Sequence, residues 1–382
     1  MSEDIGPLGL LVVQPTPFCN LDCSYCYLPD RGSTKRIRPE TLVRIFERVA
    51  ESGLARRPYT VVWHAGEPMV LPPAFYEAAF AIAARFARPG VPIAHSFQTN
   101  ATLIDAHWCE LFRRFDVRVG VSVDGPAFLH DATRTTRSGK GTHARVMRGI
   151  DALRRGGVPF HVITVLTRAA LDYPDELHAF YLEHGVTQVG FNVEEIEGPN
   201  RESSLQAADT VGRYREFMAR FFDLAMGTEP PLVVREFDSM LAAVLRAGDE
   251  PGLPPEEAAP FAILSVDCEG NFSTFSPELL GLPSAVYDGF ALGNVLRDSV
   301  ADALASARFR AMGRDVAAGV AKCRAACAWF RFCGGGAPAN KYFENGSFDS
   351  TETLFCRLHR QALADVVLAK MRRPGAEAVY VG

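Results

Sequence analysis

Three cysteines near the N-terminus have a type and spacing that indicate iron–sulfur chemistry. Cys19, Cys23 and Cys26 form a C-x3-C-x2-C pattern. Three thiolates this close together can bind three irons of a cubane [4Fe–4S] cluster, and a fourth protein ligand normally completes the set. No further cysteine lies nearby in the sequence, so the fourth iron would be open to a small molecule. The pattern therefore predicts a cluster that takes part in a reaction.

Two other interpretations of these cysteines remain open. They could form half of a zinc site, although zinc pairs usually read C-x2-C or C-x4-C with a matching pair downstream. They could form disulfides, but nothing in the sequence indicates secretion. Tyr25, directly before the last of the three, adds a flat apolar face beside the predicted cluster. Ordinary loop packing is the alternative role for this ring.

The composition excludes several classes of protein. The 382 residues suffice for two domains or for one large barrel with an additional part. The net charge of −5 gives no basic field, so we expect no nucleic-acid partner. The apolar run from Leu8 to Val13 is too short for a signal peptide, and no stretch could span a bilayer, so we expect no membrane partner and a cytoplasmic location. Nine cysteines in a reducing compartment indicate metal clusters rather than disulfides.

The first half of the chain alternates strand-like and helix-like segments. Because six such βα units follow one another, we expect a parallel sheet, closed or half-closed as in a TIM barrel. An open doubly wound sheet is the alternative, but its G-x-G-x-x-G signature after the first strand is absent. The predicted strands are Gly9–Gln14, Tyr59–His64, Ile93–Gln98, Val117–Val123, Phe160–Leu166 and Thr187–Val193, and the predicted helices are Pro39–Ser52, Pro73–Phe86, Ile104–Phe115, His143–Arg155, Tyr173–His184 and Ala208–Leu224.

The sequence pattern changes after residue 224. Pro230–Leu245 is predicted to be a bridging helix, and Gly248–Pro260 is predicted to be a linker rich in proline, glycine and acidic residues. A hairpin is expected from Ile263–Val266 to Phe272–Phe275, and a last helix over Leu354–Met371. The predicted parts are a barrel (1–228), a bridging helix and linker (229–262), a cysteine-rich part (263–361) and a helix end with a tail (362–382).

A barrel of this kind places its functional residues directly after the strands, at their C-terminal ends. After the second strand, Gly66, Glu67 and Pro68 offer carbonyl oxygens and a carboxylate, which suit an ammonium group. A plain loop is the alternative, since glycine and proline are common in loops. After the third strand, Thr99 and Asn100 offer short polar side chains for ribose hydroxyls, with capping of the next helix as the alternative.

Further polar residues follow the fourth and sixth predicted strands. Ser122 suits a ligand carboxylate or a ribose, although the Asp-Gly-Pro run close behind it is a strong turn signal. Arg134 can clamp a carboxylate with two hydrogen bonds, and a solvated surface position is the alternative. Asn192 and Glu194 lie where the sixth strand ends, and either could be a simple rim residue. Together with the cysteine loop, these positions predict one shared mouth.

With C-x3-C-x-aromatic-C after the first strand and Gly-Glu-Pro after the second, the chain resembles radical S-adenosylmethionine (SAM) enzymes over residues of about 9 to 225. The resemblance implies an α/β fold with a partial (β/α)6 TIM-like barrel. It implies that Cys19, Cys23 and Cys26 ligate the [4Fe–4S] cluster and that SAM chelates the open iron. The family motif usually reads Gly-Gly-Glu-Pro, and Ala65 replaces its first glycine here. The SAM contacts implied are Tyr25 beside the cluster, Gly66, Glu67 and Pro68 near the ammonium, Thr99, Asn100 and Ser122 near the ribose, Arg134 at the carboxylate, and Asn192.

The C-terminal part resembles the SPASM extension of enzymes that modify ribosomal peptides. Cys323, Cys327, Cys333 and Cys356 approach its signature and would suffice for one fully ligated auxiliary [4Fe–4S] cluster. The first pair is separated by three residues instead of the usual two, and Ala337 stands where a further cysteine is expected. The resemblance therefore implies one auxiliary cluster and argues against a second.

Two cysteines remain outside these sets. Cys268 follows the first hairpin strand and is expected to be a buried apolar thiol, with a relic of a second cluster or a substitute ligand as alternatives. Cys109 lies on a predicted helix and is expected to belong to the core.

Within this group, Cys19–Arg31 and Phe275–Gly281 are similar to maturases that build three-residue cyclophanes. The resemblance implies an oxidoreductase that abstracts a hydrogen with the 5′-deoxyadenosyl radical and joins an aromatic side chain to a β-carbon in a ribosomally synthesised precursor peptide. Its partners would be that peptide and a reductant such as flavodoxin or ferredoxin. Glu278 and Glu194 are the candidate bases for the proton. The alternatives are a sulfatase-type maturase that makes formylglycine, which normally carries seven SPASM cysteines, and a zinc-stabilised binding module.

Overall fold

Six parallel strands joined by helices form the N-terminal half of the molecule. The structure is a computed structural model that describes residues 5–246 and 255–372. Neighbouring strands pair in parallel, with Leu10 opposite Thr60 in the first pair. The predicted strands are confirmed, each to within one residue at either end. They are β1 (Leu10–Val13), β2 (Tyr59–Trp63), β3 (Ile93–Thr99), β4 (Arg118–Ser122), β5 (Phe160–Leu166) and β6 (Gln188–Val193).

Helices carry the chain from the end of each strand to the start of the next. The first of them buries Leu42, Ile45, Phe46 and Val49, whose spacing places them on one face of the helix. The six predicted helices are confirmed. The short helix Ala127–Thr133 was not predicted, because seven residues show no helical period of their own. The helices are α1 (Pro39–Glu51), α2 (Pro73–Ala84), α3 (Ala106–Arg114), α4 (Ala127–Thr133), α5 (His143–Arg155), α6 (Pro174–Glu183) and α7 (Thr210–Met226).

A layer of aromatic rings fixes the first strands against their helices. Tyr76 on α2 packs against Trp63 on β2 and Phe97 on β3, with ring centroids 5.3 and 4.6 Å apart. Phe97 also meets Phe112 on α3 at 5.4 Å. All four rings are fully buried. Edge-to-face packing of this kind holds the strand ends, and therefore the loops that follow them, in a fixed position.

The C-terminal part continues the same sheet. The predicted hairpin is confirmed as β8 (Ile263–Val266) and β9 (Asn271–Thr274), which are antiparallel. The strand β8 also pairs in parallel with β1, with Leu10 opposite Ile263. The predicted domain boundary at residue 263 thus falls inside a sheet that continues across it. With β7 (Val233–Val234) and β10 (Gly293–Asn294), the sheet order is β10-β9-β8-β1-β2-β3-β4-β5-β6-β7.

The bridging helix begins later than predicted, because residues 233–234 form the short strand β7 beside β6. Most of the predicted linker, residues 248–254, lies outside the described residues, as does the tail from residue 373. The predicted last helix is present and contains a π-helical segment, Arg357–Ala362. The remaining helices are α8 (Arg235–Arg246), α9 (Val300–Ala305), α10 (Ala307–Ala326), α11 (Phe330–Cys333), α12 (Pro338–Asn345), α13 (Leu354–Cys356) and α14 (Leu363–Met371).

Over residues 5–246 and 255–372, we find no helix whose length and apolar character would let it cross a membrane.

Candidate active site

The loop that carries Cys19, Cys23 and Cys26 follows β1 and is fastened along its length. The backbone amides of Asp22 and Ser24 donate to the carbonyl oxygens of Thr135 and Thr133, at 2.8 and 3.0 Å. From the other side, the guanidinium of Arg137 donates to the carbonyl of Cys19 at 2.9 Å. The loop after β4 therefore fixes the shape of the cysteine loop.

The three thiols of this loop are half-buried and close to one another. Burial raises the pKa of Cys19 to about 12, and the negative charges of Glu67, Cys23 and Cys26 add to the shift. Within the described ranges, no three His, Cys, Asp or Glu side chains converge where a single metal ion would fit. A cubane cluster instead takes one thiolate at each iron, so its ligands surround a cube.

Glu67, predicted to face an ammonium group, is buried, and both of its carboxylate oxygens accept hydrogen bonds from the protein. Its Oε1 accepts from the Thr99 hydroxyl at 2.7 Å and from the Met69 amide at 3.0 Å, and its Oε2 accepts from the Asn100 amide at 2.8 Å. Burial raises the pKa of Glu67 to about 7, although these hydrogen bonds act in the opposite direction. In this structure Glu67 and the Thr99 hydroxyl therefore join the turn after β2 to the end of β3.

The turn around Gly66 also rests directly on the cysteine loop. Gly66 has φ +130°, and a Cβ added there would overlap the carbonyl oxygen of Thr16. Its neighbour Ala65 has φ +64°, a left-handed conformation in which glycine is favoured. The Glu67 amide, preceding Pro68, donates to the carbonyl of Phe18 at 2.8 Å. Ala65 therefore takes up a left-handed conformation at the position where the family motif has its first glycine.

Asn100, predicted to approach a ribose, connects two loops in this structure. Its Nδ2 donates to Oδ1 of Asn20 at 2.8 Å and lies 3.9 Å from the sulfur of Cys19. Its Oδ1 accepts from the amide of Thr102 at 3.0 Å. Asn100 therefore positions the first cysteine of the loop, a role that spacing alone could not reveal.

Arg134 and Tyr25 meet at a buried carboxylate that sequence reasoning missed. Asp124 accepts from Nε of Arg134 at 2.9 Å and from the Tyr25 hydroxyl. The guanidinium carbon of Arg134 lies over the Tyr25 ring, 5.3 Å from the ring centroid. Burial alone would raise the pKa of Asp124, but the charges of Arg134 and His130 and the hydrogen bonds from Arg134 and Tyr25 together outweigh it and hold that pKa below its usual value. Arg134 is thus a buried residue and not a solvated surface arginine.

The terminal nitrogens of Arg134 remain available. Of its three guanidinium nitrogens, only Nε has a hydrogen-bond partner among the described residues. The guanidinium is close enough to lower the pKa of the Cys23 thiol, which burial raises. This geometry leaves a two-pronged donor beside the cysteine loop, as a carboxylate ligand requires. The signal that could have found Asp124 is its place two residues after the last residue of β4.

Ser122 and Asn192 are engaged with neighbours on the sheet. The hydroxyl of Ser122 accepts from Nε2 of Gln98 at 2.8 Å. The side-chain Oδ1 of Asn192 accepts from Nη2 of Arg235 at 2.7 Å. Both residues lie at strand ends as predicted, and both are half-buried.

The four C-terminal cysteines line one cavity of about 310 Å³, which we call the thiol cavity. Cys323 lies in the last turn of α10 and Cys327 directly follows that helix, while Cys333 ends α11 and Cys356 ends α13. Lys341, itself buried, donates to the sulfur of Cys323 at 3.5 Å.

A second cavity of about 430 Å³ is lined by the acidic side chains Glu195, Glu197 and Glu278, and we call it the carboxylate cavity. Glu278 thus lies where a base could reach a ligand. Burial raises the pKa of Glu278 to about 8. The prediction of Glu194 as a base finds no support in its position, since its carboxylate accepts from the Ser204 amide at 2.7 Å and is absent from this lining.

Sequence reasoning missed Glu195 and Glu197. Both lie in the loop after β6, within the segment where the barrel predicts functional residues. The carboxyl of Glu197 donates to Glu195, and burial raises the pKa of both groups. Nδ2 of Asn340 donates to the other side of Glu195.

The cysteine loop, the carboxylate cavity and the thiol cavity are neighbours. Ala337, Phe355 and Arg360 line both cavities and form their common wall. On the other side, the loop after β6 that carries Glu195 and Glu197 touches the cysteine loop, where Nδ2 of Asn200 donates to the carbonyl of Tyr25 at 3.0 Å. The carboxylate cavity therefore lies between the two cysteine sets. A larger depression of about 1110 Å³ lies at the opposite ends of the strands and contains none of the predicted site residues.

The two remaining cysteines belong to the interior. Cys268 is 5% exposed and packs within the hydrophobic core, and burial raises its pKa to about 12. Cys109 is buried on α3, where its thiol donates to the carbonyl of Ala152 at 3.4 Å. These positions agree with the expectation of core thiols.

Comparison with known proteins identifies the family. Residues 13–181 match the Radical SAM superfamily. An uncharacterised protein of Synechocystis is 44% identical over 373 residues, which cover 96% of this chain and 93% of that protein. A serine-type anaerobic sulfatase-maturating enzyme of Bacteroides thetaiotaomicron is 24% identical over 376 residues, which cover 93% of this chain and 88% of that enzyme.

Solved structures share the fold over almost the whole chain. The structure of anSMEcpe with bound AdoMet and Cp18Cys peptide has a TM-score of 0.76 at 20% identity, covering 95% of this chain and 97% of that one. Streptococcus suis SuiB bound to the precursor peptide SuiA has a TM-score of 0.64 at 16% identity, covering 92% of this chain and 77% of that one. The expected α/β fold of a partial barrel with a cysteine-rich extension is confirmed. The chain therefore contains a Radical SAM domain over residues 13–181 and is a radical SAM enzyme, whose cofactors are SAM and a [4Fe–4S] cluster.

Proposed function

We propose that this protein is a radical SAM maturase that oxidises a ribosomally synthesised precursor peptide. The observation that carries the proposal is a polar cavity lying between two cysteine sets and sharing a wall with one of them. A protein that only transfers electrons has no need of such a cavity. The sulfatase-maturating relative and the two peptide-bound structures support a peptide as the substrate.

The residues present fit the two clusters. Cys19, Cys23 and Cys26 would hold the SAM-binding cluster, and the free terminal nitrogens of Arg134 suit the SAM carboxylate. The four cysteines of the thiol cavity would hold one auxiliary cluster, since they converge on a single space of about 310 Å³. When bound, the first cluster and SAM supply a 5′-deoxyadenosyl radical, and the second cluster supplies an electron acceptor.

The protein's own residues handle the rest of the oxidation. The peptide loses two hydrogen atoms: one passes to the 5′-deoxyadenosyl group, and the other leaves as a proton and an electron. Glu278, in the carboxylate cavity, is placed to take the proton. The common wall at Ala337, Phe355 and Arg360 separates the substrate from the site of the electron acceptor. Fixed geometry and exclusion of water are the protein's contribution to rate.

The product we propose is a cyclophane, in which an aromatic side chain is joined to a β-carbon of the same peptide. This choice rests on the similarity of Cys19–Arg31 and Phe275–Gly281 to cyclophane-forming maturases, and on the presence of four SPASM-type cysteines where sulfatase-type maturases carry seven. Conversion of serine or cysteine to formylglycine is the second candidate, because the relative that aligns over 93% of the chain is a sulfatase-maturating enzyme. The same hydrogen abstraction would begin both reactions.

One experiment separates the two products. The reconstituted enzyme is incubated anaerobically with SAM, a reductant such as flavodoxin or ferredoxin, and the short peptides encoded beside its gene. A product two hydrogens lighter per site that resists fragmentation between the joined residues supports the cyclophane. A product that reacts with a hydrazide shows an aldehyde and supports formylglycine. SAM cleavage without any change in peptide mass in either assay contradicts the proposal of a maturase for these peptides.

A further inference from the structure

The carboxylate cavity contains an unusual excess of hydrogen-bond acceptors. Glu195, Glu197, Glu257 and Glu278 all line it, while Glu236 is already paired with Arg235 by a hydrogen bond of 2.7 Å. These five carboxyl groups outnumber the two arginines of the lining, Arg235 and Arg360, and buried carboxylates without a counter-charge are costly, so the lining is best satisfied by a ligand that brings a positive charge.

His359 gives a second and independent indication of a ligand. It lines the same cavity, it is 5% exposed, and its Nε2 has no hydrogen-bond partner among the described residues. The imidazole hydrogen-bonds to the backbone of Phe191 and stacks on Phe355, with ring centroids 4.9 Å apart. Burial lowers the pKa of His359 well below its usual value, so the ring is neutral. With the other nitrogen bonded to the backbone, Nε2 is left as a free acceptor.

Arg360 provides the complementary donor. Its Nε is buried without a partner among the described residues, on the wall shared by the two cavities. A free amine or guanidine could satisfy the acceptors but would leave this donor unpaired. A peptide residue satisfies both, because its cationic side chain meets the carboxylates and its backbone carbonyl meets Arg360.

We propose that Glu195, Glu197 and His359 form the binding site for a lysine or arginine side chain of the substrate peptide, with Arg360 on a carbonyl of the same segment. This inference rests on the proposed function and adds the class of residue that the peptide carries beside the position of oxidation. Glu195 and Glu197 share a hydrogen-bonding proton, so entry of a cation releases that proton and leaves two carboxylates around one positive charge.

A pair of matched ligands tests the site without turnover. Nα-acetyl-arginine amide and Nα-acetyl-citrulline amide have nearly the same shape and the same carbonyls, but only the first is charged. On the holoenzyme at pH 7, isothermal titration calorimetry is expected to show at least about tenfold tighter binding of the arginine compound (1.4 kcal/mol). Titration in two buffers of different ionisation enthalpy is expected to show proton release with arginine and none with citrulline.

Variants assign the effect to the named residues. Glu197→Gln cannot release the shared proton, and it is expected to abolish proton release and to reduce the preference for arginine to about twofold. His359→Phe keeps the ring stack on Phe355 and removes Nε2, and it is expected to weaken arginine binding about threefold to tenfold. Glu202→Gln, an exposed glutamate downstream of the same strand, is the matched control and is expected to bind both ligands as the wild type does.

Equal affinity for the two ligands in the wild type overturns the inference, and so does an unchanged preference in folded Glu195→Gln and Glu197→Gln proteins. Melting temperatures check that the variants are folded. The outcome is separable from the proposed function: arginine binding without any peptide modification leaves the site standing and contradicts the maturase, whereas modified peptides with no preference for arginine contradict the site alone.

Discussion

The two cysteine sets are held in opposite ways. The cysteine loop lies in a stretch of eight residues, and its shape depends on backbone hydrogen bonds to Thr133 and Thr135 and on the buried pair of Arg134 and Asp124. The thiol cavity takes its four cysteines from three helix ends, and a single buried lysine, Lys341, donates to one of its sulfurs.

This difference indicates that the two cysteine sets hold clusters with different roles. A set of three ligands beside an unused pair of guanidinium nitrogens suits a cluster that must bind a small anionic ligand. A set of four ligands around a cavity suits a cluster whose irons are all taken by protein, as electron transfer requires. The carboxylate cavity lies between the two cysteine sets, where a substrate could reach both clusters. A variant that disturbs only one of the two sets should therefore affect only one of these roles.

Loss of one cysteine from each set should separate the two roles, and this is the largest effect expected. Cys26→Ala leaves two ligands for the SAM-binding cluster and is expected to reduce 5′-deoxyadenosine formation by about 1,000-fold or more. Cys327→Ala is expected to keep 5′-deoxyadenosine formation within about tenfold and to abolish the modified peptide. Chromatography of the nucleoside and mass spectrometry of the peptide measure both quantities in one sample.

Cys109→Ala serves as the control for these variants, because Cys109 is a core thiol on α3 and is expected to change neither product. Iron analysis should show about four irons fewer in Cys327→Ala than in the wild type. If folded Cys327→Ala loses 5′-deoxyadenosine formation as completely as Cys26→Ala does, the two sets do not have separate roles.

Removal of the buried carboxylate should destabilise the side of the cysteine loop. Asp124→Asn leaves the guanidinium of Arg134 buried without its counter-charge, for which we expect a loss of about 3–5 kcal/mol in the free energy of unfolding. Glu77→Gln breaks the exposed pair of Glu77 with Arg114 and is expected to cost less than about 1 kcal/mol. Urea denaturation of both variants against the wild type measures the difference, and equal costs would contradict the assigned role of Asp124.

Two neighbouring residues of the turn after β2 should differ strongly in the effect of a small substitution on stability. Gly66→Ala places a Cβ against the carbonyl of Thr16 and forces the cysteine loop to move, at an expected cost of more than about 2 kcal/mol. Ala65→Gly relieves a left-handed conformation and is expected to change stability by less than about 1 kcal/mol. Thermal unfolding and SAM affinity measure both, and a tolerated Gly66→Ala would show that the turn does not support the loop.

Much of the fold could be predicted because the parallel strands and their helices show clear hydrophobic periods. The hairpin β8–β9 was also visible in the sequence, but its pairing with β1 was not, since contacts between distant segments leave no local pattern. Within the site, the positions of the cysteines and of Arg134 followed from spacing and resemblance.

The roles of the polar residues were harder to predict, because they depend on which groups are buried together. The sequence around Asp124 indicates a turn, and only the structure shows that Asp124 forms a buried ion pair with Arg134. The loop after β6 offers Glu194 and Glu195 side by side, and only the direction of each side chain decides which one lines the cavity. The type of a residue does not reveal whether its side chain faces solvent, caps a backbone amide or lines a cavity.

The pH dependence of product formation should distinguish the carboxylate cavity from the cysteine loop. Burial raises the pKa of Glu278 to about 8, so the basic form prevails above that pH and falls about tenfold with each pH unit below it. We therefore expect the ratio of modified peptide to 5′-deoxyadenosine to rise about tenfold or more from pH 6.5 to pH 8.5. In Glu278→Gln the ratio should be low and independent of pH, because an amide cannot accept the proton. A flat ratio in the wild type would assign proton removal to another group.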